Sequence, residues 1–272
     1  MKLSFPRVLR AASAAALAAA VLAGCSSTPK DLDPAGSAER IYKEARDDMN
    51  SGSFDRAIKA LERVEGLGAG SVLSQQAQLD LAYLYWRTNE RTQALATVDR
   101  FIKLNPSSPA LDYAMYLRGL INFNDNLGLL GNIAGQDLSE RDQRASRDSF
   151  SAFKQLVEQF PESAYAPDAR LRMQYIVQSL ANYEVHVARY YFRRGAYVAA
   201  ANRAQQAVQE FQQAPAVEEA LFIMAQSYDR LQLPELRDAA ARVLRSNYPQ
   251  SRYLAGAEIG SAVGKRPWWR LW

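Results

Sequence analysis

The chain has 272 residues, with 33 Lys and Arg against 29 Asp and Glu for a formal net charge of +4, and only one Cys and one His. One thiol and one imidazole (His186) cannot assemble a zinc site or a Cys/His catalytic pair, and the glycines near Gly128, Gly131 and Gly135 follow no strand as a phosphate loop would. Lys2, Arg7 and Arg10 supply three of the positive charges, so the chain from Cys25 onward carries about +1. That leaves no single-sign field to draw nucleic acid.

At the amino end, three cations precede an apolar stretch from Ala11 to Ala23 that ends in small residues. It is too short to span a bilayer comfortably and has the layout of a cleaved signal, over residues 1–24. The run Leu22-Ala23-Gly24-Cys25 resembles the bacterial lipobox. That resemblance implies an S-diacylglycerol and an N-acyl chain on Cys25, with a palmitate-type lipid and no other cofactor. More than one acyl chain gives stable anchoring, at about 0.8 kcal/mol per buried methylene. Ser26, where an Asp typically retains lipoproteins in the inner membrane, implies the outer membrane, with the body on the periplasmic face. Residues 25–37, rich in Ser, Pro and Gly without apolar periodicity, read as a tether.

Beyond the tether the chain repeats every 37 residues. Around Ala82 and Tyr85 on a first helix, Asn89 at a turn, and Ala94, Val98 and Phe101 on a second helix, the spacing matches the tetratricopeptide (TPR) pattern, closed by Pro106. Thirty-seven places earlier stand Ala45, Gly52, Phe54, Ala57, Leu61 and Val64. The third unit has Gly119 on its first helix (111–123). Its second helix is delayed by an insertion at 124–144, after which Ser149, Phe153, Leu156 and Pro161 take the repeat positions. Pro167 to Tyr183 reads as an extra helix. A fourth unit follows with Ala188, Tyr191, Gly195, Tyr197, Ala200, Ala204 and Ala207, and a fifth with Ala225, Tyr228, Ala241, Leu244 and Pro249. Small residues recur where the two helices of a unit cross. The fold class is therefore all-α, an α-solenoid of about five TPR helix pairs. Its expected divisions are an N-terminal half at 38–161, a C-terminal half at 162–258, and a tail at 259–272.

Taking the crossing residues as register, the first-helix faces place Tyr42, Tyr83, Trp86, Tyr113, Tyr116 and Phe123 along a groove, with Arg46, Met49, Leu79, Arg87 and Leu120 between them. Rings give large contact area at low rotamer cost and suit extended peptides with apolar side chains. The paired Lys and Asn of a carboxylate clamp are not present. The tail, Gly264-Lys265-Arg266-Pro267-Trp268-Trp269-Arg270-Leu271-Trp272, interleaves three Trp with three cations. It suits a membrane interface, a groove on a partner, or folding back on the last repeat.

Longer phrases carry a more specific likeness. SQQAQLDLAYLYW from Ser74, DRFIKLNPSSPALDYAMYLRGL from Asp99, LANYEVHVARYYFRRGAYVAAANR from Leu180, and SERDQ from Ser139 within the insertion all resemble the BamD (ComL) family of TPR lipoproteins. The resemblance covers nearly all of residues 38–250. It implies a non-enzymatic scaffold of the machine that assembles β-barrels in the outer membrane. It further implies that the amino-terminal repeats receive the aromatic-ended targeting signals of unfolded barrel precursors, and that the carboxyl half binds BamA and helps recruit other Bam lipoproteins. Arg203, with its neighbour Asn202, matches a family arginine that contacts BamA. One corner departs from the family: Gly66-Leu67-Gly68-Ala69-Gly70 stands where the family has a Tyr-Pro-type turn. The alternative is a TPR lipoprotein adaptor for pilus assembly or for cell-wall enzymes. Regular uninterrupted 34-residue repeats would favour that alternative, and the insertion argues against it.

Overall fold

A computed structural model describes residues 34–68, 70–123 and 143–256. Among them are ten α-helices and no strand: α1 (Pro34–Asn50), α2 (Phe54–Leu67), α3 (Val72–Arg87), α4 (Arg91–Leu104), α5 (Leu111–Asn122), α6 (Gln143–Gln159), α7 (Ala166–Arg193), α8 (Tyr197–Glu210), α9 (Val217–Arg230) and α10 (Pro234–Asn247). They form five successive helix pairs, as the TPR register requires. Cys25, the signal, most of the insertion and the Trp-rich tail lie outside the described residues.

The turns inside the pairs explain the recurring Gly and Asn. Gly52, Asn89, Gly195 and Gln232 all have positive φ, at 78°, 66°, 77° and 58°. Each is followed by a residue whose N–H reaches five positions back: Ser53 to Asp48 O at 2.8 Å, Glu90 to Tyr85 O at 2.7 Å, Ala196 to Tyr191 O at 3.0 Å, and Leu233 to Tyr228 O at 2.9 Å. This is the Schellman closure of a helix, in which a left-handed residue satisfies carbonyls the helix leaves orphaned.

Packing follows the same register. Ala45, Ala82 and Ala188 are fully buried where the first helix crosses the second. At Gly119, the third such position, a Cβ would lie 2.3 Å from Phe153 Cε1, so only glycine admits that fully buried ring. The Ser149 hydroxyl, also buried, donates to Gly119 O at 2.9 Å across the same crossing.

The chain clusters into two compact units divided within α4, at Thr97 and Val98. The first unit has a core of Ile41, Ala45, Leu61, Val64, Leu81 and Leu84. The second has one core around Phe153, Leu156, Ile176 and Leu221, and another where Ala188, Ala200, Ala204 and Ala207 let α7 and α8 approach closely.

Three expectations change. The tether was expected to run to Ser37, but α1 begins at Pro34, a residue whose fixed φ and missing N–H suit the first turn of a helix. The extra helix at 167–183 and the first helix of the fourth unit are a single 28-residue helix, α7. No Gly or Pro interrupts residues 168–193, so nothing stops the helix. Leu79, placed in the groove by its spacing, is 2% exposed and belongs to the interior.

Candidate functional site

The six ring residues singled out on first-helix faces are all half-buried, and four of them, Tyr42, Tyr83, Tyr116 and Phe123, pack on a core. In the first unit Tyr83 and Trp86 sit one turn apart on α3, their rings 5.9 Å apart and tilted by 57°. Tyr42 on α1 is tied down by its hydroxyl, which donates to Asp80 Oδ2 at 2.8 Å. Arg46, one turn further along α1, stands 3.7 Å from Asp80 Oδ1, and Gln76 donates to the same oxygen at 3.4 Å. Burial pushes the Asp80 carboxyl above its ordinary pKa, against the hydrogen bond from Tyr42 and the charge of Arg46. Burial, together with the bond to Asp80, raises the Tyr42 phenol as well.

The second unit repeats this arrangement with the arginine on the helix of the carboxylate instead of that of the tyrosine. Tyr116 on α5 donates to Asp168 Oδ2 at 2.6 Å, and Arg172, one turn on from Asp168 along α7, donates from Nε to the same oxygen at 2.5 Å. Partial burial raises the Asp168 carboxyl, but the bonds from Tyr116 and Arg172 and the Arg172 charge outweigh it and hold the group below its usual value. Thus a Tyr–Asp–Arg clasp links first helices in each unit: α1 with α3, and α5 with α7.

Around the second clasp the rings are contiguous. Tyr116 stacks on Tyr165 with centroids 4.9 Å apart, and Tyr113 lies 5.4 Å from the same ring. Phe123 stands 5.7 Å from Tyr175, and the Arg172 guanidinium lies over Phe123 at 4.7 Å from its centroid. Ser163 donates to Asp112 Oδ2 at 2.7 Å and so fixes the turn that carries Tyr165. Such a face offers apolar area, hydroxyls and a desolvated cation to an extended chain.

Asp80, Tyr165, Asp168, Arg172 and Tyr175 were not singled out from sequence. The available signals were an acid set between two leucines (Leu79-Asp80-Leu81) and an Asp–Arg pair one helical turn apart.

Arg203, on α8, donates from Nη1 to Glu184 Oε2 on α7 at 3.1 Å. Glu184 is 2% exposed, so this arginine neutralises a charge taken out of water, while its own side chain remains 41% exposed. Asn202 is exposed. Arg189 grips Glu219 of α9 with two hydrogen bonds, at 2.9 and 3.0 Å. The segment after α10 is seated on α9 by Ser251, which donates to Glu218 at 2.7 Å, and by Tyr253 stacked 4.8 Å from Phe222. Among the described residues no group of His, Cys, Asp and Glu could hold a metal ion, and no helix is long and apolar enough to cross a membrane.

Comparison with known proteins places the whole array. Residues 34–244 match the YfiO family model, described as outer membrane lipoprotein. The outer membrane protein assembly factor BamD of Neisseria meningitidis serogroup B is 42% identical over 257 residues, covering 94% of this chain and 95% of that protein. The factor of the same name from Haemophilus influenzae is 35% identical, covering 84% and 87%, and that of Vibrio cholerae is 32% identical, covering 85% and 95%. The chain belongs to the YfiO (BamD) family of outer membrane lipoproteins, a family of non-enzymatic scaffolds.

Proposed function

We propose that this chain is an assembly factor for outer-membrane β-barrel proteins, anchored on the periplasmic face of the outer membrane by lipid on Cys25. Its first-helix faces take the aromatic-ended targeting signals of unfolded barrel precursors. Residues 162–258, through Arg203 and Asn202, engage BamA and bring in other Bam lipoproteins. The observation that carries the peptide-capture reading is the placement of the rings. Tyr42 and Tyr83 in one unit, and Tyr116 and Phe123 in the other, pack on a core while only partly buried, and the half-buried Trp86 and Tyr113 lie against Tyr83 and Tyr165. The names and high coverage of the relatives support the assembly role. Exposed Asn202, beside an arginine whose charge is only partly covered, supports a partner contact on α8.

The test is photocrosslinking in cells from probes at Tyr83, Tyr113 and Asn202. None of these three side chains takes part in a Tyr–Asp–Arg clasp or in the buried Glu184 pair, so the probes leave those contacts in place. Barrel precursors are expected on the first two probes and BamA on the third. Adducts with neither class of protein would overturn the reading.

A further inference from the structure

One groove of the second unit takes no part in its clasp. Asp168, Arg172 and Tyr175 share one face of α7, and at 3.6 residues per turn Arg170, Met173, Gln174 and Val177 stand on the opposite face. There, between α6, α7 and the end of α8, lie two adjoining hollows of about 420 and 490 Å³ that share Phe150 and Val177. Their apolar lining is Phe150, Met173 and Val177, all half-buried, with buried Phe211. The exposed side chains of Gln174, Gln178 and Gln213 edge the first hollow with amides. One guanidinium stands at each hollow: Arg170 donates to Pro161 O at 3.3 Å, and Arg147 pairs with Glu210 at 3.0 Å.

This combination suits an indole. An indole has a large ring area to bury, an N–H to donate to an amide oxygen, and the best π face for a guanidinium. A leucine or phenylalanine would use the apolar lining and leave the amide edge unused. The lining carries two cations and one acid, so it is the rings of a ligand, and not its positive charges, that the groove favours.

The chain carries such a ligand in Trp268, Trp269 and Trp272. The segment after α10 leads towards the groove. Ser251 is fastened to Glu218 and Tyr253 is stacked on Phe222. Tyr253 also shares a core with Phe211 and Ala214, which line the two hollows. Trp268 is 12 residues beyond Gly256, a length that spans up to about 40 Å, so the indoles can reach both hollows. A tether of this size holds its end at a local concentration of order mM, which favours docking within one chain over docking between two.

We propose that the groove between α6, α7 and the end of α8 is the docking site of the chain's own tail, residues 259–272, with two of its three indoles seated in the two hollows. The docked tail links α6 to the start of α9 across the back of α7. It leaves the ring-bearing first-helix face open, so the proposal stands apart from peptide capture.

The experiment places a photoreactive side chain at Leu271, which keeps all three Trp, in the full lipidated chain in detergent micelles, and maps the adducts by mass spectrometry. Adducts are expected on residues 147–151, 170–178 or 210–214. In a mixture of isotopically heavy and light chains they should join heavy to heavy and light to light. The double variant Trp268→Ala with Trp269→Ala should cut the groove adducts about ten-fold, the effect of removing buried aromatic anchors. Both positions lie outside the described residues, so no described packing contact is removed. Adducts only with detergent would assign the tail to the membrane interface, and heavy-to-light adducts would assign it to a second copy; either overturns the proposal. So would adducts elsewhere on the chain, or groove adducts that persist undiminished without the two indoles.

Discussion

At the scale of single residues, the Glu184–Arg203 pair shows how one side chain is held by two demands. Glu184 is enclosed where α7 meets α8, and the Arg203 head is its counter-charge. Removing one partner of a buried pair leaves an uncompensated charge, which costs about 3–5 kcal/mol when both are enclosed. Arg203 reaches solvent, so the expected cost of Arg203→Gln is smaller, about 1–3 kcal/mol, and Arg203→Glu should cost more through like-charge repulsion. The double variant Glu184→Gln with Arg203→Gln is expected to recover most of that loss, because two neutral amides need no counter-ion. Urea unfolding of the three variants checks this, and a double variant no more stable than Arg203→Gln would contradict it. Loss of a partner contact in Arg203→Glu therefore means little unless the fold is measured alongside, whereas Asn202 can be varied without disturbing the pair.

At the scale of helices, the turn register makes a prediction about its own exception. Gly52, Asn89 and Gly195 suit the left-handed corner, but the fifth pair places Gln232 there, at φ 58°. A non-glycine residue pays about 1–2 kcal/mol in that region, while glycine returns roughly 0.5–1 kcal/mol through the freer unfolded chain. Gln232→Gly should therefore raise stability by about 0.5–1 kcal/mol, seen as a higher thermal midpoint, whereas Gly195→Ala should lower it. A lower midpoint for Gln232→Gly would show that its side chain contributes more than the strain it causes.

The same corners mark what the sequence makes legible. The 37-residue spacing of Ala45, Ala82 and Gly119 is a packing rule written locally, because only small residues let helices cross closely, and the helix pairs follow from it. The continuity of α7 is equally local, but the absence of a stop between Tyr183 and Ala188 is a weaker mark than a Gly or Pro. The clasps were not legible. Tyr42 meets Asp80 across 38 positions and Tyr116 meets Asp168 across 52, and nothing in either local pattern announces the partner. Ring residues can be found by helical register; which carboxylate steadies each ring depends on how one pair stacks on the next.

At the scale of the whole molecule, the two clasps give the two units opposite responses to acid. Asp168 has its folded pKa lowered, so the stability it contributes is present above the unfolded value of about 3.9 and is lost as pH falls through the folded one. Asp80 has its folded pKa raised, so its contribution is fully present below about 3.9 and is lost as pH rises through the folded value. The clasp of the first unit thus carries a burial cost at neutral pH that the second escapes, because Asp168 keeps more of its solvent and a closer arginine. Urea midpoints of Asp168→Asn and Asp80→Asn, each set against the unmodified chain at pH 7, 5 and 4, separate the two cases by slope. The deficit of Asp168→Asn should shrink on acidification. Asp80→Asn should stand best relative to the unmodified chain at pH 7 and lose ground towards pH 4, whatever the absolute effect of exchanging an oxygen for an amide. Parallel slopes would mean that the clasps are electrostatically alike, and that the closer arginine of the second unit does not account for the difference.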